Sequence, residues 1–168
     1  RLYQCIFQDA LWQEMDEGKY TGVCETLPLY LKKYPDMRDE ILAFFHKDWE
    51  AMLSIMDEGK AFFESVKQAG YKCYIVSNYH ADTFAYTEHR YHSFFEKFDG
   101  KVISGQIHKW KPNEDIFAYL LETYHLKKEE CVFFDDTKAN VDAANVYGIH
   151  AFVYTDPQTA LQNLQSLQ

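Results

Sequence analysis

The chain has 168 residues, 47% of them hydrophobic, which is enough for one medium domain, or for a core plus a small insert. Twenty-six acids against 17 bases give a formal net charge of −9. That charge argues against nucleic-acid and anionic-membrane partners, both of which require basic surface. No apolar run approaches the length of a membrane-spanning helix, and no signal peptide is evident. The four cysteines (Cys5, Cys24, Cys73 and Cys131) lack CxxC or CxxH spacing, so the chain reads as a reduced, cytoplasmic protein.

Residues 1 to about 57 carry helical periodicity only. Tyr3, Ile6, Phe7, Ala10 and Leu11 form one stripe. Leu27, Leu31 and Tyr34 predict a second helix ending near Pro35. Ile41, Phe45, Trp49, Met52, Leu53 and Met56 predict a long third one. Gly18 and Gly59 read as C-terminal caps.

From about residue 58 helices and strands alternate. The pattern predicts a helix over 60–69, a strand over 71–77, a polar helix over 82–97 and a short strand over 101–104. A helix over 113–125, a strand over 131–135 and a helix over 138–147 ending at Gly148 follow. A strand over 149–154 and a last helix after Pro157 complete the chain. This alternation implies an α/β fold, a doubly wound, Rossmann-like parallel sheet with helices on both faces. Ligands in such sheets sit beyond the carboxyl ends of the strands.

Ser77 and Asp135-Asp136 occupy such ends, and Lys111 precedes a helix. Asp135 and Asp136 follow the apolar run Cys131–Phe134. Two adjacent carboxylates at a sheet edge repel each other unless a cation sits between them, and a carboxylate pair with few other ligands suits Mg²⁺. The alternative is that Asp136 opens a turn and caps the next helix with Thr137. Ser77 and Asn78 follow Tyr74–Val76. A hydroxyl there, with the N–H groups of the next turn, can hold a phosphate oxygen, although Ser-Asn is also ordinary turn chemistry. Lys111 precedes Pro112, which forces it into an extended conformation and so aims the amine. Hydroxyl, amine and paired acids together read as a phosphate and Mg²⁺ site. His89 and His92 on one helix face lack a third ligand and read as solvated. Trp12, Tyr20, His46 and Trp49 are candidates for a lid over the substrate.

In this order and spacing, Tyr74–Asn78, Ser104-Gly105 with Lys111-Pro112, and Val132–Asp136 with Asn140 and Ala143-Ala144 resemble motifs two, three and four of the haloacid dehalogenase (HAD) superfamily. Residues 1–57 resemble its inserted α-helical cap, and 58–168 its α/β core. The nearest subgroup contains α-glucose-1-phosphate phosphatases and the N-terminal phosphatase domain of epoxide hydrolases. The resemblance implies a Mg²⁺-dependent phosphatase of small phosphorylated metabolites, such as a sugar phosphate, working through an aspartyl-phosphate. Ser77, with help from Asn78, would bind the transferring phosphoryl group. Lys111 would neutralise phosphate and nucleophile. Asp136 would bind Mg²⁺ directly, and Asp135 directly or through water. Asn140 stands where many members carry an aspartate.

Motif one, the DxD that ends the first strand and supplies the nucleophile, is not present in these 168 residues. Asp9 sits in a helical pattern without a second aspartate and takes no such role. In the family that strand lies between those ending at Ser77 and Asp135. The expectation is therefore a segment preceding Arg1, and an inactive chain if these residues are the whole molecule. Dehalogenases of the same superfamily need no Mg²⁺ and typically replace the acidic pair, which Asp135-Asp136 argues against. Receiver domains also combine lysine, hydroxyl and an acidic pair, but there the pair comes first in the chain. A pseudo-enzyme that binds phosphometabolites without turnover is the remaining alternative.

Overall fold

The computed structural model describes residues 1–48 and 53–167. Its helices are α1 (Leu2–Phe7), α2 (Ala10–Asp16), α3 (Val23–Lys33), α4 (Arg38–Ala43), α5 (Asp57–Gln68), α6 (Ala81–Arg90), α7 (His92–Phe95), α8 (Ser104–Ile107), α9 (Glu114–Tyr124), α10 (Lys138–Tyr147) and α11 (Pro157–Ser166). Its strands are β1 (Tyr74–Ser77), β2 (Gly100–Ile103), β3 (Val132–Asp135) and β4 (His150–Val153).

The N-terminal helices differ from the expected stripes in instructive ways. The first stripe is two helices, not one, because Asp9 adopts extended backbone and accepts a hydrogen bond from the Leu11 N–H at 2.9 Å, capping α2. Its buried carboxylate also accepts from Lys33 Nζ at 2.6 Å and from the Tyr34 hydroxyl. Burial works to raise the Asp9 pKa. The hydrogen bonds from Leu11, Lys33 and Tyr34 outweigh it, so the net shift is downward. The expected long third helix is α4 followed by a π-helical turn over Phe44–Asp48. Leu53 to Met56 are not helical, and Met56 is exposed. Trp49 and Met52 of that stripe lie outside the described residues. Gly18 follows α2 with φ +76°, as expected, but Gly59 lies inside α5.

The alternating half follows its pattern closely, with two exceptions. The polar helix splits into α6 and α7 at Tyr91, and α8 follows β2 where no helix was expected. β1 pairs with β2 in parallel from Tyr74↔Gly100 to Ser77↔Ile103. β3 pairs with β4 in parallel from Val132↔His150 to Asp135↔Val153. Among the described residues no ladder joins β1 to β3. The sheet is two parallel pairs separated by a slot of about 790 Å³, bordered by Ile75, Val76, Phe117, Phe133 and Phe134. Each pair turns one edge toward the slot, and such an edge carries backbone groups without strand partners. This is the geometry expected for a doubly wound sheet without its central strand.

Two buried clusters flank this arrangement. One joins Ile6, Met15, Tyr30, Ile41, Phe44 and Phe45 of the helical part. The other joins Val102, Ile116, Phe117, Val141, Ala144 and Ile149 of the sheet and its helices. No helix among the described residues is long and apolar enough to cross a membrane.

Two stability measurements follow. Asp9→Ala removes the α2 cap and should lower unfolding free energy by about 1–2 kcal/mol in chemical denaturation. Because the folded pKa of Asp9 is lowered, its contribution is present above the ordinary aspartate value and disappears as pH falls through the folded one, so the two proteins should converge in acid. Phe117 is fully buried against Phe133 and Tyr147. Phe117→Ala should cost about 3–5 kcal/mol. A loss below about 1 kcal/mol would mean that the slot collapses to fill the space.

Candidate active site

Lys111 lies in the turn before α9, whose N-cap is Asn113, so Pro112 stands outside the helix rather than at its first position. The lysine is held at both ends. The Asn78 side-chain amide donates to the Lys111 carbonyl at 2.9 Å, and its oxygen accepts from the Lys111 N–H at 2.9 Å. The Lys111 amine then reaches across the slot. It donates to the Val76 carbonyl at 2.8 Å on β1 and to Asp135 Oδ2 at 2.6 Å on β3. It also lies 5.6 Å from the centre of the Phe133 ring. The Lys111 and Asp135 side chains are only 9% and 6% exposed. Lys111 thus forms a buried ion pair with Asp135.

The other Asp135 oxygen accepts from the Thr137 N–H at 2.8 Å and from the Asn140 side chain at 3.0 Å. Asp135, not Asp136, therefore organises the turn into α10. Asp136 is exposed beside it. Ser77, half-buried at the end of β1, makes only a 3.5 Å contact from its hydroxyl to the Asn78 carbonyl. Ser77, Asn78, Lys111 and Asp135 therefore meet where β1 and β3 end. The Asn78 amide nitrogen and oxygen each bond the Lys111 backbone, which fixes the turn from which the lysine extends.

The loop after β1 is fixed from below. Ser104, fully buried, accepts from the Tyr79 N–H at 2.9 Å, and the Gly105 N–H donates to the Tyr79 carbonyl at 3.1 Å. A Cβ at Gly105 would stand 2.7 Å from that same carbonyl oxygen and 2.8 Å from the Ala81 nitrogen, so only glycine lets α8 approach. Above the loop lies a cavity of about 190 Å³ between the helical part and the core, with Trp12 in its wall and Asn78 and His80 at its edge. Of the other lid candidates, His46 is exposed, Tyr20 packs on the helical cluster, and Trp49 lies outside the described residues. His89 and His92 make no metal cluster. Among the described residues no three His, Cys, Asp or Glu side chains converge on one point.

Residues 11–148 match the family model of haloacid dehalogenase-like hydrolases. The chain belongs to this family. Solved structures share the fold at low identity. A HAD-like family hydrolase from Porphyromonas gingivalis is 22% identical over 94% of this chain and 78% of its own, with a TM-score of 0.68. A HAD family enzyme from Bacteroides thetaiotaomicron, in complex with magnesium and inorganic phosphate, is 17% identical over 89% of this chain and 78% of its own, also with a TM-score of 0.68.

Within this HAD-like chain, sequence reasoning missed what holds the site in place. The bond from Asn140 to Asp135 was open to discovery, since an amide five residues after a strand-end acid falls in the first turn of the next helix. The engagement of Asn78 with Lys111 spans 33 positions and left no local signal. His80 and Asp16 were not distinguished from surface residues either.

Because Lys111 and Asp135 are both buried, removing one leaves the other uncompensated. Lys111→Met and Asp135→Asn should each destabilise by about 3–5 kcal/mol, and the double variant should recover a substantial part of the summed loss. Additive losses in a double-mutant cycle would show that the two groups are not coupled.

Proposed function

We propose that this chain is the cap and most of the core of a Mg²⁺-dependent phosphomonoester hydrolase acting on a small phosphorylated metabolite. Residues 1–57 are the helical cap and 58–168 the core, a division supported by the two separate buried clusters. The observation that carries the reading is Lys111 clasping both strand ends while the Ser77 hydroxyl and the Asp136 carboxylate beside it stay open.

The chemistry of each group follows from its position. The Ser77 hydroxyl donates to a phosphoryl oxygen. The Lys111 amine, held by Asn78, offsets charge on the phosphoryl group, and a unit charge at ~4 Å is worth on the order of 4 kcal/mol at an effective dielectric of 20. Mg²⁺ takes one or two carboxylates and keeps several waters, which fits an exposed Asp136 beside an already hydrogen-bonded Asp135. Bound there, the ion would supply positive charge to the phosphoryl oxygens. The magnesium and phosphate bound by the Bacteroides thetaiotaomicron relative support the same pairing. The nucleophilic aspartate belongs on a strand seated in the slot between β1 and β3. The 168 residues accordingly supply binding and charge neutralisation, and turnover requires that strand.

Calorimetric titration of the 168-residue chain with inorganic phosphate tests this. Phosphate should bind with Mg²⁺ present and at least tenfold more weakly without it. Asp136→Asn should abolish the Mg²⁺ effect, and Ser77→Ala should weaken phosphate binding by about three- to tenfold, as expected for one hydrogen bond. Phosphate affinity indifferent to Mg²⁺ and to both substitutions would sink the assignment. Turnover of p-nitrophenyl phosphate by this chain alone would place the nucleophile within it.

A further inference from the structure

The 190 Å³ cavity beside Asn78 has an unusual chemical make-up. Phe7, Trp12, Val23, Phe44 and Leu53 supply most of its wall. The aromatic rings pack on one another, with Phe7 4.5 Å from Trp12 and 5.5 Å from Phe44, so they form a continuous apolar surface rather than a cage. At one corner stand His80 and Asp16. The His80 side chain is 3% exposed and lies edge-on to Trp12 at 4.3 Å. Its Nε2 lies at ion-pair distance from Asp16 Oδ1, 3.2 Å, and has no hydrogen-bond partner among the described residues. A buried imidazole nitrogen without a hydrogen bond is costly, and its position at a cavity edge points to a ligand. Asp16 is the last residue of α2, where the helix dipole disfavours an acid.

The other polar side chains among the described lining residues already make hydrogen bonds. The Asn78 amide is bound to Lys111 at both of its atoms. The Thr83 hydroxyl donates to the His80 carbonyl, and the Tyr79 hydroxyl is paired with Thr87. Among the described lining residues, Asp16 and His80 have the least committed side chains, and they stand side by side. A hexose would bring several hydroxyls into a wall that satisfies one, and each buried hydroxyl left unpaired would weaken binding roughly tenfold or more. The volume, in contrast, suits a single six-membered ring, since an apolar cavity of ~150 Å³ accepts benzene.

We propose that this cavity receives the alcohol portion of the phosphate ester, and that it selects a compact, largely apolar group carrying one hydrogen-bond donor, which meets Asp16 and His80. This rests on the phosphatase reading, because Asn78 joins the cavity to Lys111 and Ser77. Asp16 and His80 are then specificity determinants of the site. The donor is a hydroxyl or an ammonium group, and the two differ in how strongly they depend on the charge of Asp16.

Calorimetry on the 168-residue chain with Mg²⁺ tests the proposal using inorganic phosphate, cyclohexyl phosphate, its 4-hydroxy and 4-amino derivatives, and glucose 6-phosphate. At least one of the two derivatives should bind tenfold or more tightly than inorganic phosphate, cyclohexyl phosphate and glucose 6-phosphate. Asp16→Asn should reduce that derivative to the level of cyclohexyl phosphate, more severely for the ammonium than for the hydroxyl. His80→Gln serves as the second variant. Glucose 6-phosphate binding as tightly as either derivative, or no ester exceeding inorganic phosphate, would overturn the proposal while leaving the phosphate site standing. If inorganic phosphate itself fails to bind, the phosphatase reading falls. Occupancy of the cavity is then read from Trp12 fluorescence in a Trp49→Phe, Trp110→Phe background titrated with cyclohexane-1,4-diol. A saturable change that Asp16→Asn abolishes supports the cavity's selectivity, and no change overturns it.

Discussion

The Lys111 amine is the joint on which the site depends. Two strand pairs face each other across a slot with no backbone ladder between them, and this one cation bonds to a carbonyl on the first and a carboxylate on the second. Sheets ordinarily join through repeated N–H to C=O bonds, each adding a modest amount. Here a charge-assisted pair in a poorly solvated place does that work at the strand ends, where the Coulomb attraction is weakly screened. Ser77 and Asp136 follow directly on the two groups that this amine holds, and Asn78 fixes the backbone from which it extends.

The surrounding fold can be understood as support for that joint. Ser104 and Gly105 hold the loop after β1 from beneath, one by a hydrogen bond and the other by having no side chain in the way. Asn140 and the Thr137 N–H hold Asp135 from the α10 side. The helical part reaches the same loop from above. Asp82 in α6 accepts from the Val23 N–H at 2.8 Å, and Gly22 leaves room for that carboxylate. The cavity between the two parts is thus bounded by elements tied to the core, which gives its apolar wall a fixed relation to the strand ends.

Much of the core was legible in the sequence because its signals are local. Apolar runs of three and four residues followed by Ser77 and Asp135 mark strand ends, Gly148 adopts the positive φ expected of a helix terminator, and α11 begins at Pro157. The helical part was less legible. An apolar stripe continues across a break without changing its spacing, so Asp9 was hidden within one apparent helix although its side chain caps the next. The third stripe runs into a π-helical turn at Phe44–Asp48, which a 3.6-residue periodicity does not register. Gly59 looked like a stop signal and is instead tolerated inside α5, where a Cβ would meet almost nothing.

The sequence by itself determined the alternation of strands and helices and the residue types at the strand ends. Those properties depend on neighbours along the chain, and short-range sterics and hydrophobic periodicity encode them directly. Only the tertiary structure decided which of the two aspartates is clasped by Lys111 and which stays exposed. It also bonded the Asn78 side chain to the Lys111 backbone, and it set Asp16 beside His80 at the rim of an apolar cavity. Each of these pairings joins residues tens of positions apart. They arise when whole elements dock, and buried polar groups then take whichever partners the packed core leaves within reach.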